Sequence, residues 1–410
     1  MHDANVEDLV EMLTPAQREA VLHVDGPMLV LAGPGSGKTR VVTHRIAHLL
    51  RRGVPARQIL ALTFTNKAAE EMKSRLSTLA PGQKVWVSTF HRFCARMLRE
   101  QASLVGLEEN FTIYDTSDSG QTLKRVLQEM NFDSQHFTPG QIAAAISWAK
   151  NNLIRAEQYT PKPGHAVGSI VARVYPKYQQ ALFTANAVDF DDLLMHLANL
   201  LRENPLVRKE LDARFRYILV DEYQDTNLAQ YAIVRAMSLD YPNLSVTGDP
   251  DQSIYGWRGA NLSNIMDYET DYPRVRVVRL EQNYRSTGRI LRAADALIQH
   301  NTRRKAKDLF TENDEGAPVR MMFYSTQQNE ANSIALRIAT EVRGGRRRFR
   351  DHAIFYRTNA LSRALETLWT DAGERLRLKT ALRDGFGAQL EYDIESALRA
   401  ALLPRVGRVG

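Results

Sequence analysis

Short apolar runs separated by longer mixed stretches set the rhythm of this chain. Met28–Ala32, Ile59–Thr63, Val85–Ser88, Tyr217–Asp221, Leu244–Gly248 and Val275–Leu280 each read as a strand. Helical stretches lie between them, so the order predicts an α/β fold around a mostly parallel sheet. In such sheets ligands gather at the carboxyl ends of the strands. Those ends carry polar, motif-like residues here.

Residues 111–188 interrupt the rhythm. Gln121–Met130, Gln141–Asn151 and Ile170–Thr184 predict helices, with breaks at Pro139-Gly140 and Pro161-Lys162-Pro163-Gly164. This segment reads as a helical subdomain inserted into a first lobe made of residues 1–110 and 189–280. A second α/β lobe is expected to start over 281–370, with strands at Val319–Phe323 and Ala353–Tyr356. The basic stretch from Arg343 to Arg350 reads as a solvated turn before a strand. Residues 371–410 form a divergent tail rich in Ala, Arg and Leu.

The sharpest chemistry follows the first apolar run, in Ala32-Gly33-Pro34-Gly35-Ser36-Gly37-Lys38-Thr39. Apolar strand, glycine-rich turn and Lys-Thr opening a helix make a phosphate-binding loop. Glycines let backbone N–H groups curl around phosphate oxygens, and the helix N-terminus adds partial positive charge. Lys38 would reach the terminal phosphates of a nucleoside triphosphate, and the Thr39 hydroxyl would hold Mg²⁺. Ala32 in place of the usual first glycine is tolerable, because close approach is needed at Gly35 and Gly37.

Two later strand ends complete that chemistry. Tyr217–Val220 leads into Asp221 and Glu222, where Asp221 would support the Mg²⁺ shell and Glu222 would orient and deprotonate water. The run from Gly248 to Ala260 offers Gln252 as an amide to sense a γ-phosphate. Its Tyr255, Trp257 and Arg258 combine two aromatic faces with a cation, a set that stacks bases and contacts a phosphate backbone. A packed aromatic turn is the bland alternative.

Composition sharpens this modestly. A net charge of +7 points weakly toward a polyanionic partner. No run approaches the ~18 apolar residues of a membrane span, so no membrane partner is expected. The start of the chain is acidic and lacks a secretory apolar region. The single cysteine, Cys94, fits a reducing, cytoplasmic setting and reads as a buried helical thiol.

In order along residues 10–366, the chain resembles the UvrD/Rep/PcrA group of superfamily 1 DNA helicases. Leu13–Val21 looks like their adenine-reading Q motif, Leu62–Ala69 like motif Ia and Ser88–His91 like motif Ib. Val188–Leu194 has a counterpart just before motif II, which Asp221–Thr226 resembles. Gly248–Ala260 resembles motif III, Leu280–Ser286 motif IV, and Ala353–Ala360 a strand of the second motor lobe. The resemblance implies RecA-like P-loop NTPase lobes with ATP between them, single-stranded DNA across their tops, and 3′→5′ translocation at duplex junctions.

Residue by residue, it implies that Gln17 reads adenine, Tyr284 stacks on it, and Arg40 joins Gly33, Pro34, Ser36 and Gly37 in the nucleotide site. Arg285 would act as an arginine finger. Phe64, Phe190, Tyr255 and Trp257 would line the DNA path, with Thr65, His91 and Arg258 on its backbone. Arg92 departs from relatives that carry a small residue there. Beyond Glu366 no run resembles motif V or VI, so a truncated or frame-shifted product is expected. Three readings follow: a DNA-dependent ATPase and helicase, a remnant that binds ATP and single-stranded DNA with little turnover, or a related nuclease-helicase or RNA motor.

Overall fold

The computed structural model describes residues 8–131, 137–164, 166–356 and 361. Pro15–Leu22 (α1) opens with a reciprocal cap: Thr14 Oγ1 accepts the Gln17 N–H, and Gln17 Oε1 accepts the Thr14 N–H. Met28–Ala32 (β1) is buried at every position, as a strand covered on both faces must be. It runs into Lys38–Arg51 (α2), Ile59–Thr63 (β2), Asn66–Leu79 (α3), Trp86–Thr89 (β3) and Phe90–Glu100 (α4). Helix α4 buries Phe90, Phe93, Cys94, Met97 and Leu98, the one-face spacing of an amphipathic helix. Burial pushes the Cys94 thiol up and leaves it inert.

The short parallel pair Thr112–Ile113 (β4) and Ala187–Val188 (β5) gathers the two ends of the insert. Between them stand Thr116–Glu129 (α5), Pro139–Asn151 (α6) and Ala166–Thr184 (α7), around a core of their own that includes Leu123, Ile142, Val171 and Tyr175. The helix expected to start at Gln141, after a break at Pro139-Gly140, already includes that pair. Pro139 occupies the first turn of α6 behind a Thr138 cap, where its missing N–H costs nothing.

The chain returns through Phe190–Glu203 (α8), Pro205–Arg214 (α9), Tyr217–Val220 (β6), Leu228–Ala236 (α10), Leu244–Gly248 (β7) and Arg276–Leu280 (β8). The main sheet has six strands in the order β3-β2-β6-β7-β1-β8, and every pairing is parallel. Leu29 lies beside Val246 on one side and Val277 on the other. All strands therefore point their carboxyl ends the same way, and the loops after β1, β2, β6 and β7 meet on one edge.

Two compact units divide after Pro318. Residues 281–318, read from sequence as the start of a second lobe, pack with the first unit. Gln282 bridges Phe310, and the Asn283 N–H donates to the Phe310 carbonyl at 2.8 Å. Gly288–Ile298 (α11) lies in this stretch. The second unit contains Gln327–Arg343 (α12), which buries Ala331, Ile338 and Ala339.

The strands expected at Val319–Phe323 and Ala353–Tyr356 are irregular and exposed. A strand is completed by a neighbour's N–H and C=O groups, and no ladder partner stands beside them among the described residues. The basic stretch is an exposed turn: Arg347 pairs with Glu341 at 2.5 Å, and Phe349–Asp351 forms a short 3₁₀ turn rather than leading to a strand. The tail at 371–410 lies outside the described residues, as do Arg357–Ala360 of the last motif. Among the described residues, no helix is long and apolar enough to cross a membrane.

Candidate nucleotide and nucleic-acid site

The turn after β1 is shaped by what its glycines permit. Gly35 and Gly37 adopt φ of 65° and 87°, a left-handed backbone that favours glycine. A Cβ on Gly37 would lie 2.9 Å from Gln17 Nε2, and one on Gly35 would lie 2.7 Å from Arg285 Cβ. Gln17 Nε2 donates to the Ser36 carbonyl at 2.9 Å, and Ser36 Oγ to the Gly33 carbonyl at 2.8 Å. Helix α2 begins at Gly37 with no side-chain cap and no acid in its first turn. Its leading N–H groups and positive dipole end thus remain available to an anion. Ala32 is the last, buried residue of β1, and half-buried Arg40 lies in the first turn of α2.

Asp221 and Glu222 follow β6 directly. Lys38 Nζ stands 3.6 Å from Glu222 Oε2, and Thr39 Oγ1 donates to Asp221 Oδ2 at 3.4 Å. The Glu222 N–H donates to Asp221 Oδ1 at 3.0 Å. Glu222 takes a φ of 53°, a strained value for a residue with a Cβ. Gln224 Nε2 donates to Glu222 Oε2 at 2.9 Å. Burial first, and the Glu222 carboxylate second, push the Asp221 carboxyl up to about 7. The same two causes raise Asp225 to about 7. A buried carboxyl this reluctant to ionise alone, beside a hydroxyl, suits a hard divalent cation that restores its charge. Mg²⁺ therefore fits Thr39 and Asp221. Among the described residues, no group of three or more His, Cys, Asp and Glu is arranged to hold a metal.

The turn after β8 docks onto the phosphate loop. Asn283 Nδ2 donates to the Pro34 carbonyl at 2.6 Å, while Asn283 Oδ1 accepts the N–H groups of Arg285 and Ser286. The Tyr284 N–H donates to the Gly35 carbonyl at 3.0 Å. Exposed Tyr284 shares a cleft of about 220 Å³ with Gln17, Ser36, Gln282 and Phe310. Arg285 is exposed beside the loop. Sequence reasoning passed over Asn283, hidden between more familiar residue types, and Phe310, which no motif marked. Gln252 Nε2 donates to Asp249 Oδ2 at 2.7 Å.

Aromatic side chains collect beyond β2 and β7. Phe64 and Tyr255 stack with centroids 5.5 Å apart and planes 24° apart; Trp257 follows at 6.5 Å and is 70% exposed. Phe64 and Tyr255 are half-buried, so the exposed face of the row is that of Trp257. His91 and Phe190 meet edge to face at 5.9 Å. Burial lowers the His91 pKa, against the pull of Asp191. Thr65 Oγ1 caps α3 by accepting the Ala68 N–H at 3.1 Å and retains its own O–H to donate. The Arg258 side chain lies outside the described residues.

The insert is bolted to this edge. Lys150, at the end of α6, is wholly buried 2.7 Å from both Asp189 and Asp192, which flank Phe190. Burial opposes its charge, but the two carboxylates outweigh that and hold its pKa above the ordinary value. Asn151 Nδ2 donates to Asp191 Oδ1 at 2.9 Å, and its Oδ1 accepts from Asn227 just after the Asp221–Thr226 run.

Comparison with known families matches residues 13–273 to the UvrD/REP helicase N-terminal domain and residues 278–377 to the UvrD-like helicase C-terminal domain. The ATP-dependent DNA helicase PcrA of Bacillus subtilis (strain 168) is 47% identical over 368 residues, covering 89% of this chain and 50% of that protein. PcrA of Staphylococcus epidermidis (strain ATCC 12228) is 46% identical over 361 residues, covering 87% and 49%. PcrA of Leuconostoc citreum is 46% identical over 366 residues, covering 88% and 49%. The chain spans about half the length of the curated relatives it matches. The first match spans the loops after β1, β2, β6 and β7, and over that length this chain belongs to the UvrD/REP helicase family.

Proposed function

We propose that this chain is an ATP-dependent DNA motor of the UvrD/Rep type, hydrolysing ATP to move 3′→5′ along single-stranded DNA toward duplex junctions. One observation carries the reading. Lys38 with Glu222, and Thr39 with Asp221, converge from residues far apart in sequence onto the open N-terminus of α2. Relatives named as ATP-dependent DNA helicases support the choice of nucleotide and nucleic acid.

Each residue then has a task. The N–H groups of residues 33–39 cradle phosphates, and Lys38 offers its ammonium to the β- and γ-oxygens. Thr39 and Asp221 would hold Mg²⁺, which when bound neutralises charge on those phosphates. Glu222 orients the attacking water and takes its proton, steadied by Gln224. Gln252 and Arg285 face the γ-phosphate, Gln17 reads adenine, and Tyr284 stacks on it with Arg40 alongside. Phe64, Tyr255, Trp257 and Phe190 stack bases, while Thr65, His91 and Arg258 hold the strand's backbone. A cytoplasmic place in DNA repair or replication belongs to the same proposal, supported by the lone buried Cys94.

The deciding experiment is the steady-state ATPase rate with and without a single-stranded oligonucleotide. A rate that rises several-fold with DNA supports a motor. Tight binding of both ligands with negligible turnover supports the binding remnant instead.

A further inference from the structure

A charged cluster outside the Lys38–Asp221–Glu222 group touches the same machinery. Lys307 carries its ammonium to a side-chain position with no solvent exposure, ion-paired with Asp249 and 3.1 Å from Asp251 Oδ2. Arg304 reaches the same Asp251 oxygen at 3.3 Å. Both aspartates belong to the loop after β7, whereas Lys307 belongs to the stretch after α11. An ammonium taken wholly out of water is tolerable only against carboxylates, so this is a fixed joint and not a surface pair.

Asp249 connects that joint to the site. Its Oδ2 accepts Gln252 Nε2 at 2.7 Å, and its N–H donates to Gln224 Oε1 at 2.9 Å. Gln224 Nε2 in turn donates to Glu222 Oε2 at 2.9 Å. The result is one line of hydrogen bonds, Glu222–Gln224–Asp249–Gln252, with Lys307 holding its third member. A Cβ on neighbouring Gly248 would lie 2.5 Å from Gln224 Oε1, so the backbone itself is closed onto this line. A few residues on, Tyr255 of the same loop stacks on Phe64. Without the ammonium, Arg304 would still hold Asp251, but buried Asp249 would lose its ion-pair partner, and the loop carrying both Gln252 and Tyr255 would lose its reference point.

We propose that Lys307 is a positioning residue for DNA-stimulated ATP hydrolysis: by fixing Asp249 it keeps Gln252 in register with Glu222 when the strand engages Tyr255 and Trp257. This rests on the motor reading above. Lys307 touches neither nucleotide nor DNA in it; it acts through Asp249.

The test compares Lys307→Met, Lys307→Arg and the milder Asp251→Asn, with circular dichroism to establish folding. Lys307→Met should lower kcat at saturating oligo(dT) about tenfold or more, while KM for ATP, DNA-free turnover and oligo(dT) affinity stay within about twofold. Lys307→Arg should recover most of the stimulation, and Asp251→Asn should lose about threefold. A purely structural role would weaken affinity and turnover together, in proportion to lost stability. Full DNA stimulation in folded Lys307→Met or, if that variant does not fold, in Asp251→Asn would overturn the proposal. Hydrogen exchange over residues 249–256 supplies a readout independent of turnover. Exchange there should quicken several-fold in Lys307→Met or Asp251→Asn, and unchanged exchange in a folded variant would also overturn the proposal. Wild-type protein that neither hydrolyses ATP nor binds oligo(dT) would sink the motor reading itself, a result the exchange data keep separate from the Lys307 joint.

Discussion

Asn283 Nδ2 donates to the Pro34 carbonyl at 2.6 Å, across 249 residues of sequence, and its Oδ1 accepts two N–H groups of its own turn. One carboxamide thus fastens the Tyr284–Arg285 turn to the phosphate loop. Its donor and acceptor ends are not interchangeable, because one faces a carbonyl and the other faces amides.

Asn283→Asp should therefore separate the two ends. It keeps the acceptor for Arg285 and Ser286 but places a carboxylate oxygen against the Pro34 carbonyl. Losing a buried hydrogen bond costs roughly 1–3 kcal/mol. Nucleotide affinity should fall about tenfold, with single-stranded DNA affinity unchanged, in an equilibrium titration with a fluorescent ATP analogue. Unchanged nucleotide affinity would remove Asn283 from the site's framework.

Lys38 and Glu222 should fail differently. Lys38→Ala removes the cation facing the phosphates and leaves the loop backbone in place, so Mg-ATP binding should be lost. Glu222→Gln keeps shape and hydrogen bonding but loses the base, so ATP should still bind while turnover falls by ~10²–10⁴. Equal loss of affinity in both variants would contradict the division of roles.

How much of this was legible beforehand depends on the length scale of the signal. The phosphate loop and the Asp221-Glu222 pair were readable because apolar strands deliver them and local chemistry dictates residue type. The six strands of the main sheet were readable for the same reason. Val319–Phe323 misled because an apolar run states what would be buried, not whether a neighbouring strand exists to pair with it. From sequence the start of α6 reads at Gln141 rather than Pro139, because proline in a helix's first turn resembles the break before it. Lys150, Asn283 and Lys307 were invisible for a third reason: each is an ordinary polar residue until the fold surrounds it with partners distant in sequence.

Lys150 should be the costliest single loss in the insert. Lys150→Met leaves Asp189 and Asp192 buried without their cation, and breaking a buried pair in this way costs about 3–5 kcal/mol. Urea unfolding should show a shifted midpoint or an early transition of residues 111–188. Adding Asp192→Asn should restore part of the loss by removing one stranded charge. A double variant no more stable than Lys150→Met alone would show that packing, not charge, sets the cost.

Asp221 gives the site a pH signature. Its pKa near 7 in the folded chain lies above the ordinary carboxylate value, so between about pH 4 and 7 the folded state holds a proton that the unfolded state has released. Its contribution to stability is complete below that window and is lost as pH rises through 7, by an amount on the order of a few kcal/mol. Asp225 acts in the same direction. Asp221→Asn isolates the first term: without Mg²⁺ it should flatten the fall in stability between pH 5 and 8. In wild type, Mg²⁺ should reverse part of that fall and release a proton near pH 6, measured by calorimetry in buffers of different ionisation enthalpy. Equal pH dependence in wild type and Asp221→Asn would show that Asp221 does not carry the raised pKa, and an undiminished Mg²⁺ effect in Asp221→Asn would remove it from the metal shell.

Trp257 tests the nucleic-acid half of the site. The ring is 70% exposed at the end of the Phe64–Tyr255 stack, so truncation leaves no buried cavity and should cost little stability. A base-stacking platform is worth about 1–3 kcal/mol, so Trp257→Ala should weaken single-stranded DNA binding roughly five- to 150-fold. The loss should be similar for mixed-sequence strands, since every base has a π-face, and the slope of affinity against salt should hardly change, since no phosphate contact is removed. Arg258→Ala should do the reverse, flattening the salt slope while costing less at high salt. Fluorescence anisotropy with a labelled oligonucleotide across a salt series distinguishes the two. DNA-free ATP affinity should be the same in both variants, because the aromatic row and the phosphate loop follow different strands. If Trp257→Ala bound DNA as wild type does, the strand would have to run elsewhere on this edge, with His91 and Phe190 as the next place to look.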